Sequence, residues 1–379
     1  MTTDRERTAW AYLSMVALGP SPELEKLVAE RGVLDAADAV RVGDVPAAMR
    51  ERVAARAGVD PAEATATLAR LGGRLVVRTD AEWPAWRLTA LDRLDPAARR
   101  DAAAPLALWV VGSANLASCT EQAVAVVGTR AATSYGDHVT AEISGDLAVD
   151  GWTVVSGAAY GIDGAAHRAA LGVGGTTVAV LACGVDRAYP AGHSRLLERI
   201  AEQGAVVSEY PPGTTPARYR FLARNRLVAA LADGVVVVEA GWRSGARNTA
   251  SWARAVGRPV VAVPGPVTSA SSAGCHRMIR EGEAMLVTGA QDVAAEIGPL
   301  GSAQAASDER DSLFGRRLDA LPETAARTLD ALPTAGAVQP EEISVTSGIP
   351  VAAVRSALVV LEVEGYAHRG RSGWVRVSG

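Results

Sequence analysis

The stretch Ala123-Val124-Ala125-Val126-Val127-Gly128-Thr129-Arg130 decides the fold, because five small apolar residues run directly into a glycine, a hydroxyl and a cation. Apolar runs of the same kind recur through the middle of the chain, at residues 153–156, 177–182, 205–208, 235–239, 259–263 and 284–287. Most are continuous rather than alternating with polar residues, which is typical of strands covered on both faces. Amphipathic stretches of helical length, such as 135–149 and 195–203, separate them. The pattern predicts an α/β protein with right-handed βαβ units, a doubly wound and mainly parallel sheet.

The segments on either side of this core have different patterns. The first 60 or so residues carry apolar side chains at helical spacing. The end of the chain shows three short helical patterns and then two short strands around a glycine-containing turn, which favours a winged-helix-like domain. The predicted division is a helical N-terminal domain at 1–72, the α/β domain at 73–297, a linker rich in small and polar residues at 298–317, and the C-terminal domain at 318–379.

Composition restricts the class of protein. The chain has 379 residues, 38 Lys+Arg against 42 Asp+Glu and 49% hydrophobic residues, which suits two or three packed domains. No apolar stretch approaches the ~18 residues of a membrane-spanning helix. The N-terminus, with Asp4 and Glu6 before its first apolar run, lacks a signal-peptide pattern. We therefore expect a cytoplasmic protein without a membrane partner.

Single residue types argue against several chemistries. Lys26 is the one lysine and lies in a helical segment without a glycine-rich loop, which argues against a Walker A site and against Schiff-base catalysis. Cys119, Cys183 and Cys275 are odd in number, lie far apart and match neither a Cys-x-x-Cys pair nor a zinc spacing. We expect no disulfide and no metal site.

The arginines are concentrated in one part of the chain. Residues 210–280 hold ten arginines against Asp233 and Glu239, a local charge of +8 in a chain whose net charge is -4. Such a segment attracts a polyanion. The alternative is that these arginines pair with carboxylates of other segments or lie on solvated helix faces. We expect that of about half of them, including Arg254 and Arg258.

Ligands of open α/β sheets bind beyond the carboxyl ends of the strands. Gly128-Thr129-Arg130 follows the first core strand there. Its glycine allows close backbone approach, its hydroxyl and amides can bind a phosphate, and Arg130 adds a planar bidentate donor. No Gly-x-Gly-x-x-Gly opens the next helix, so this is not a dinucleotide fingerprint. A tight turn with a surface arginine explains these three residues equally well.

Arg218-Tyr219-Arg220-Phe221 interleaves cations with aromatic residues in a chain with only 4% aromatic residues. An aromatic face stacks on any unpaired base for about 1–3 kcal/mol, and neighbouring arginines hold the phosphates. The pattern therefore suits a single strand. The competing interpretation, which these residues alone favour slightly, is that Phe221 fills the core beneath the loop.

Two further loops enter helices. Gly157 and Gly161 precede a helix whose amides can cradle a phosphate, and Asp163 there suits the commoner role of a helix-start carboxylate. Ser244 and Thr249 lie in a second such loop. The five histidines are scattered, and no Ser/His/Asp or Cys/His set is discernible by spacing. The sequence therefore predicts no nucleophile with a base.

The order of the motifs resembles the DNA-processing protein DprA (Smf) family of bacterial natural transformation, over about residues 75–297. The motifs that carry this resemblance are 126–130 (VVGTR), 154–157 (VVSG), 161–163 (GID), 166–167 (AH), 181–186 (LACGVD), 189–190 (YP), 208–213 (SEYPPG), Phe221 with 224–226 (RNR), 238–240 (VEA), 243–245 (RSG), 263–265 (VPG) and 274–275 (GC). So many ordered motifs make chance a poor explanation.

The resemblance implies an extended Rossmann-like domain, usually with a helical N-terminal domain of the SAM or helix-hairpin-helix type and often a winged-helix C-terminal domain. It also implies binding of single-stranded DNA, a homodimer through the Rossmann-like domain, and help in loading RecA recombinase. By resemblance, Gly128, Thr129 and Arg130 form the phosphate-binding element. Arg218 stands where a cation contacts the strand, and Phe221 where an aromatic residue stacks on a base.

The sequence departs from the family pattern in places. Ser244-Gly245-Ala246-Arg247 replaces the frequent Ser-Gly-Ser-Leu, and Gly274-Cys275-His276 replaces Gly-Cys-Asn. The N-terminal turn lacks the full Gly-x-Gly of a helix-hairpin-helix, so the resemblance leaves open whether that domain contacts a duplex.

We predict a non-enzymatic, dimeric single-stranded DNA-binding protein of the DprA type, which protects single strands and assists RecA loading in natural transformation or recombination. No cofactor is predicted. The residues predicted to bind DNA are Gly128, Thr129, Arg130, Gly157, Gly161, Arg218, Arg220, Phe221, Arg224, Asn225, Arg226, Arg243, Ser244 and Gly245.

Two other function classes stay open. Nucleoside-monophosphate phosphoribohydrolases share the sheet architecture and carry Pro-Gly-Gly-x-Gly-Thr-x-x-Glu after a strand, but here Thr249 is followed by Ala250, Ser251 and Trp252, so the glutamate is missing. A protein-interaction module is the other alternative. Residues 318–379 have five arginines against seven carboxylates, a balance that suits a protein partner or an intramolecular lid better than DNA.

Overall fold

The computed structural model describes residues 2–242, 244–298, 321–333, 336–363, 365–370 and 373–377. Contacts divide the chain near residue 302 into two compact units, the first at 1–302 and the second at 303–379. The linker predicted at 298–317 lies, apart from Gly298, outside the described residues, and so does the predicted site residue Arg243.

A mixed sheet forms the centre of the first unit. Its strands among the described residues are β1 (Arg74–Val77), β2 (Ala107–Val111), β3 (Ala123–Val127), β4 (Thr153–Ser156), β5 (Thr177–Leu181), β6 (Ala205–Ser208), β7 (Gly234–Val237), β8 (Val260–Ala262) and β9 (Met285–Leu286). They are ordered β1-β2-β6-β5-β4-β3-β7-β8-β9, with every pair from β6 to β9 parallel. Strands β1 and β2 pair antiparallel at one edge. The predicted doubly wound, mainly parallel α/β fold is confirmed.

Helices connect and cover these strands. They are α1 (Asp4–Ala17), α2 (Pro22–Arg31), α3 (Val33–Val42), α4 (Ala47–Val53), α5 (Ala62–Arg70), α6 (Ala85–Asp92), α7 (Leu116–Cys119), α8 (Ser134–Val149), α9 (Ile162–Gly172), α10 (Ser194–Gln203), α11 (Arg218–Ala230), α12 (Gly245–Ala255), α13 (Ala273–Arg280) and α14 (Ala290–Ile297). Short 3-10 turns lie at Ala54–Arg56 and Ala191–His193.

The central strands are apolar on both faces because helices cover both. Along β3, Ala123, Ala125 and Val127 belong to the core on one side, whereas Val124 and Val126 belong to the core on the other. Strands β7 and β8 alternate between the same two cores. Burial on both faces explains why these strands appear in the sequence as continuous apolar runs.

The strand order reverses at β3. Strands β4, β5 and β6 lie on one side of β3, and β7, β8 and β9 lie on the other. Crossovers that leave in opposite directions open a crevice at the carboxyl ends of the two strands that flank the reversal, which are β3 and β7. The loops after these strands, described at 128–133 and at 238–242, therefore frame the position where a ligand is expected.

The N-terminal helices share a core with the antiparallel edge. Trp10 and Leu13 of α1 are buried in one cluster with Val77 of β1 and Trp109 of β2. The helical segment predicted at 1–72 therefore belongs to the same compact unit as the sheet.

The second unit has its own small core. Its described elements are α15 (Glu323–Asp330), α16 (Pro340–Ser347), α17 (Val351–Val363), β10 (Ala367–Gly370) and β11 (Gly373–Arg376). The two strands form an antiparallel hairpin, and Trp374 packs with Ile343, Leu358 and Leu361. Within the described part of the chain, no single helix is long and apolar enough to span a bilayer. Only the bent pair α16 and α17 passes that test of length and composition jointly.

Candidate nucleic-acid interface

A cleft of about 940 Å³ lies at the reversal of strand order. The loops after β3, β4 and β7 line it, together with the first turns of α11 and α12. Helices α9, α11 and α12 all begin at the cleft. Helix N-termini carry unpaired amides and a partial positive charge. The cleft is therefore suited to an anion.

The loop after β3 is held between β7 and α9. Thr129 N donates to Glu239 O at 2.8 Å, and Ile162 N donates to Thr129 O at 3.2 Å. A Cβ on Gly128 would overlap Ile162 and lie 2.9 Å from Glu239 O, so only glycine fits at this position. The Glu239 carboxylate, itself buried, accepts from Thr133 N and Thr133 Oγ1. These contacts fix the backbone that presents Arg130 to solvent.

Arg130 stands beside an aromatic pair. Its guanidinium carbon lies 5.1 Å from the ring centroid of Phe221, and the Phe221 ring lies 5.3 Å from that of Tyr189. Phe221 is half-buried and lines the cleft, so it does not plug the core beneath the loop. A cation and two aromatic rings therefore meet at one edge of the cleft.

Arg224 contributes a buried cation to the cleft. Its side chain is 4% exposed, and Nη1 donates to Val180 O at 2.6 Å, while Nε has no hydrogen-bond partner. A Cβ on Gly157 would overlap this guanidinium, so a larger residue there would displace the Arg224 side chain. Burial lowers the pKa of Arg224, an effect that the nearby Asp163 carboxylate opposes.

Asp163 is the acidic side chain that lines the cleft. Burial raises the pKa of its carboxyl, against the opposing effect of Arg224. Ala159 N donates to Asp163 Oδ2 at 3.4 Å, in the loop that enters α9. Asp163 lies in the first turn of α9, the position expected of a helix-start carboxylate. Its negative charge also offsets part of the positive charge of Arg224.

The described lining residues near the start of α12 are polar and uncharged. Ser244 caps α12 by accepting from Ala246 N at 3.2 Å, and Gly245 follows it without any atom near its missing Cβ. Asn225 Nδ2 donates to Asn248 Oδ1 at 3.1 Å, and both amides line the cleft. These described side chains offer hydrogen bonds to a ligand.

Most of the predicted site residues meet in this cleft. Those that line it are Gly128, Thr129, Arg130, Gly157, Arg218, Phe221, Arg224, Asn225, Ser244 and Gly245. Gly161 and Arg220 do not line it. Gly161 has a φ of 73° and packs against Thr129 O, so it shapes the loop. Arg220 donates to Thr215 O and lies between the rings of Tyr210 and Tyr219.

The prediction for Arg226 is wrong. Its side chain is fully buried and forms an ion pair with Glu209 through contacts of 2.6 and 3.0 Å, and Nε donates to Ala103 O. A phosphate cannot reach this guanidinium. Arg226 is a core cation, which the sequence did not reveal because its partner lies on another segment.

Contacts with other segments also occupy several other arginines of residues 210–280, so these side chains do not face the cleft. Arg254 pairs with Glu283 at 3.0 Å, as expected for it, and Arg247 approaches the same carboxylate at 3.6 Å. Arg258 stacks over Trp86 instead of pairing, and burial lowers its pKa. The positive charge lining the cleft among the described residues comes from Arg130, Arg218 and Arg224.

Tyr189 and Asn248 line the cleft but were not among the predicted site residues. Tyr189 appeared only within a family motif, and Asn248 only within a loop that enters a helix. Nothing in their local pattern connects them to Phe221 or Asn225, which are 32 and 23 residues away. The contact of Tyr189 with Phe221 and that of Asn248 with Asn225 are the signal, and both exist only in the folded chain.

Comparison with known proteins identifies the family of this chain. The model of the family described as DNA recombination-mediator protein A matches residues 74–298. The DNA processing protein DprA of Mycobacterium tuberculosis is 51% identical over 98% of this chain and 94% of its own length. That of Streptococcus pneumoniae is 44% identical over 51% of this chain and 67% of its own length.

Solved structures show the same fold. The X-ray structure of DNA processing protein A from Streptococcus pneumoniae matches with a TM-score of 0.64 and 33% identity, over 79% of this chain and all of that one. A structure that addresses the single-stranded DNA binding mode of DNA processing protein A from Helicobacter pylori matches with a TM-score of 0.51 and 28% identity, over 62% and 96%. The resemblance predicted over residues 75–297 is confirmed, and the chain belongs to the DNA recombination-mediator protein A family.

Proposed function

We propose that this protein binds single-stranded DNA in the cleft between the carboxyl ends of β3 and β7. The observation that carries the proposal is the meeting of exposed Arg130 with Phe221 and Tyr189 beside buried Arg224. The Helicobacter pylori relative, described as binding single-stranded DNA, supports it.

The chemistry of the cleft favours an unpaired strand over a duplex. Guanidinium groups bind phosphates through planar pairs of N–H donors, and an aromatic ring stacks on a base that is free of its partner. A duplex keeps its bases stacked on one another, so it can offer the cleft phosphates but no base. Single strands should therefore bind more tightly than duplexes of equal length.

The test is the salt dependence of single-strand affinity for the wild type and Arg130→Ala. Affinity should fall by roughly 0.7 log units per log unit of salt for each phosphate contact, and Arg130→Ala should bind more weakly with a slope smaller by about that amount. Arg5→Ala is the matched control, because Arg5 is an exposed arginine of α1 that does not line the cleft. Equal affinity of Arg130→Ala and wild type at low salt would refute the proposed site.

The proposal extends to partners. The family's description as a recombination mediator supports a role in loading RecA onto the bound strand, in recombination or natural transformation. A cytoplasmic location is part of the same proposal. A homodimer through the Rossmann-like unit is supported by the exposure of Met285 and Leu286 on the edge strand β9. RecA filament assembly on protein-coated single strands and sedimentation equilibrium test the two points separately.

We also propose that the protein acts by binding and not by turnover. Burial raises the pKa of Cys183 to about 11 and of Cys275 to about 12, so both thiols stay protonated at neutral pH. Burial lowers the pKa of His167 to about 3, and the imidazole of this α9 residue is fully buried. Incubation with nucleoside monophosphates should release no free base; its release would favour the phosphoribohydrolase alternative.

A further inference from the structure

Trp242 is an exposed aromatic side chain at the rim of the cleft. It is 55% exposed, although tryptophan is normally among the more buried residues. Gly241 before it and Ser244 two positions after it both line the cleft. The indole therefore lies where a strand leaving the cleft on the α12 side would pass.

The backbone that displays Trp242 is anchored. Ala240 N donates to Ser271 O at 2.8 Å, and Gly274 N donates to Ala240 O at 2.7 Å. A Cβ on Gly274 would lie 2.6 Å from Ala240 O and 2.7 Å from Gly241 O, so α13 approaches this loop as closely as glycine permits. The position of the indole is thus set by the first turn of α13.

Arg277 fixes the indole itself. Its guanidinium carbon lies 4.7 Å from the Trp242 ring centroid, and Nε donates to both carboxylate oxygens of Glu281 at 2.8 and 2.9 Å. Glu281 thus orients Arg277, and Arg277 in turn contacts the indole of Trp242. The arginine covers one part of the indole, and more than half of the side chain stays accessible. An aromatic face that is already oriented loses little rotamer freedom when a base stacks on it.

We infer that Trp242, backed by Arg277, is a second stacking subsite that takes a base of the same single strand after it leaves the cleft. The inference rests on the proposed function and lengthens the binding surface beyond the Arg130 and Phe221 edge. Stacking on an indole does not depend on base identity, so the subsite should bind any sequence.

A second tryptophan of the same chemistry provides the control. Trp86 is 69% exposed, and Arg258 lies 5.1 Å from its ring centroid. Its neighbour Arg87 pairs with Asp233, which directly precedes β7, so Trp86 lies near the amino ends of the parallel strands. The cleft lies at their carboxyl ends. Trp86 therefore reproduces the exposed indole and its arginine without access to a strand in the cleft.

The experiment measures the affinity of oligodeoxythymidylates from about 4 to about 16 nucleotides, the range of site sizes of oligonucleotide-binding folds. The wild type, Trp242→Ala, Trp242→Phe and Trp86→Ala are compared at low salt. We expect Trp242→Ala to match the wild type on the shortest strands and to bind the longest about tenfold more weakly, because one stack is lost. Trp242→Phe should be intermediate, and Trp86→Ala should match the wild type throughout.

The outcomes separate this inference from the proposed function. If Trp242→Ala follows the wild type at every length while Arg130→Ala stays weak, the subsite is wrong and the cleft is right. If Trp242→Ala changes the oligomeric state but not the affinity, the indole is a protein contact and the subsite is wrong. If the wild type binds no strand of any length, the proposed function fails first.

Discussion

At the scale of single residues, neighbours decide what each arginine does. Arg130 is exposed beside an aromatic ring, whereas Arg226 is buried against Glu209 and has no access to a ligand. Removing one partner of such a buried pair strands a charge in the core and costs about 3–5 kcal/mol. Arg224 is intermediate, since it is buried yet lines the cleft. Arginine content alone therefore overstates the charge that a strand would meet.

Phe221→Leu tests the stacking role at the same scale. Leucine keeps an apolar side chain at this half-buried position but removes the ring that contacts Arg130 and Tyr189. We expect single-strand affinity to fall by about 1–3 kcal/mol, with little change in thermal stability. Anisotropy titration and thermal unfolding measure the two quantities. Unchanged affinity together with a lowered Tm would assign the ring to packing instead.

At the scale of elements, α9 holds the loops that frame the cleft. Its first amide bonds to Thr129 O, and Asp163 in its first turn faces Arg224. The helix is docked on the sheet through His167, whose Nδ1 lies 2.7 Å from Thr177 Oγ1. Because Thr177 Oγ1 donates to Val154 O, the imidazole Nδ1–H is the donor to Thr177.

This docking predicts acid sensitivity. His167 Nε2 is buried without a partner, and burial lowers the pKa of the imidazole from 6.5 to about 3. Because the folded-state pKa lies below the unfolded-state value, the contribution of neutral His167 to the free energy of unfolding is complete above pH 6.5. That contribution is lost as the pH falls toward 3.

His167→Asn tests the point, because its amide can still donate to Thr177 but does not titrate in this range. The wild type should lose up to about 1.4 kcal/mol more unfolding free energy per pH unit than the variant below pH 6.5, the limit for one proton. Urea unfolding from pH 7 to pH 4 measures the difference. Parallel pH profiles for the two proteins would show that His167 does not contribute.

At the scale of the whole molecule, the cleft belongs to one unit. All of its lining residues lie between 127 and 249, within the unit at 1–302. The second unit has its own core around Ile343, Leu358 and Trp374, and an acidic charge balance. We therefore expect the proposed binding of single-stranded DNA to depend on the first unit alone.

Removal of residues 318–379 tests this separation. We expect single-strand affinity to be unchanged, or slightly higher at low salt, because the deleted segment carries more carboxylates than arginines. The salt slope should stay the same, since no phosphate contact is lost. Anisotropy titration of the full chain and the truncated chain makes the comparison. A clear loss of affinity would show that the second unit contacts the strand.

The fold class, the family and the loops that line the cleft were predictable from the amino-acid pattern. Continuous apolar runs specify strands buried on both faces, and glycines after these strands mark close backbone approach, because both signals are local in the chain. Which arginines reach the cleft, and the contact of Tyr189 with Phe221 there, became visible only in the folded chain. Ion pairs such as Arg254 with Glu283 depend on distances between segments that local periodicity does not encode.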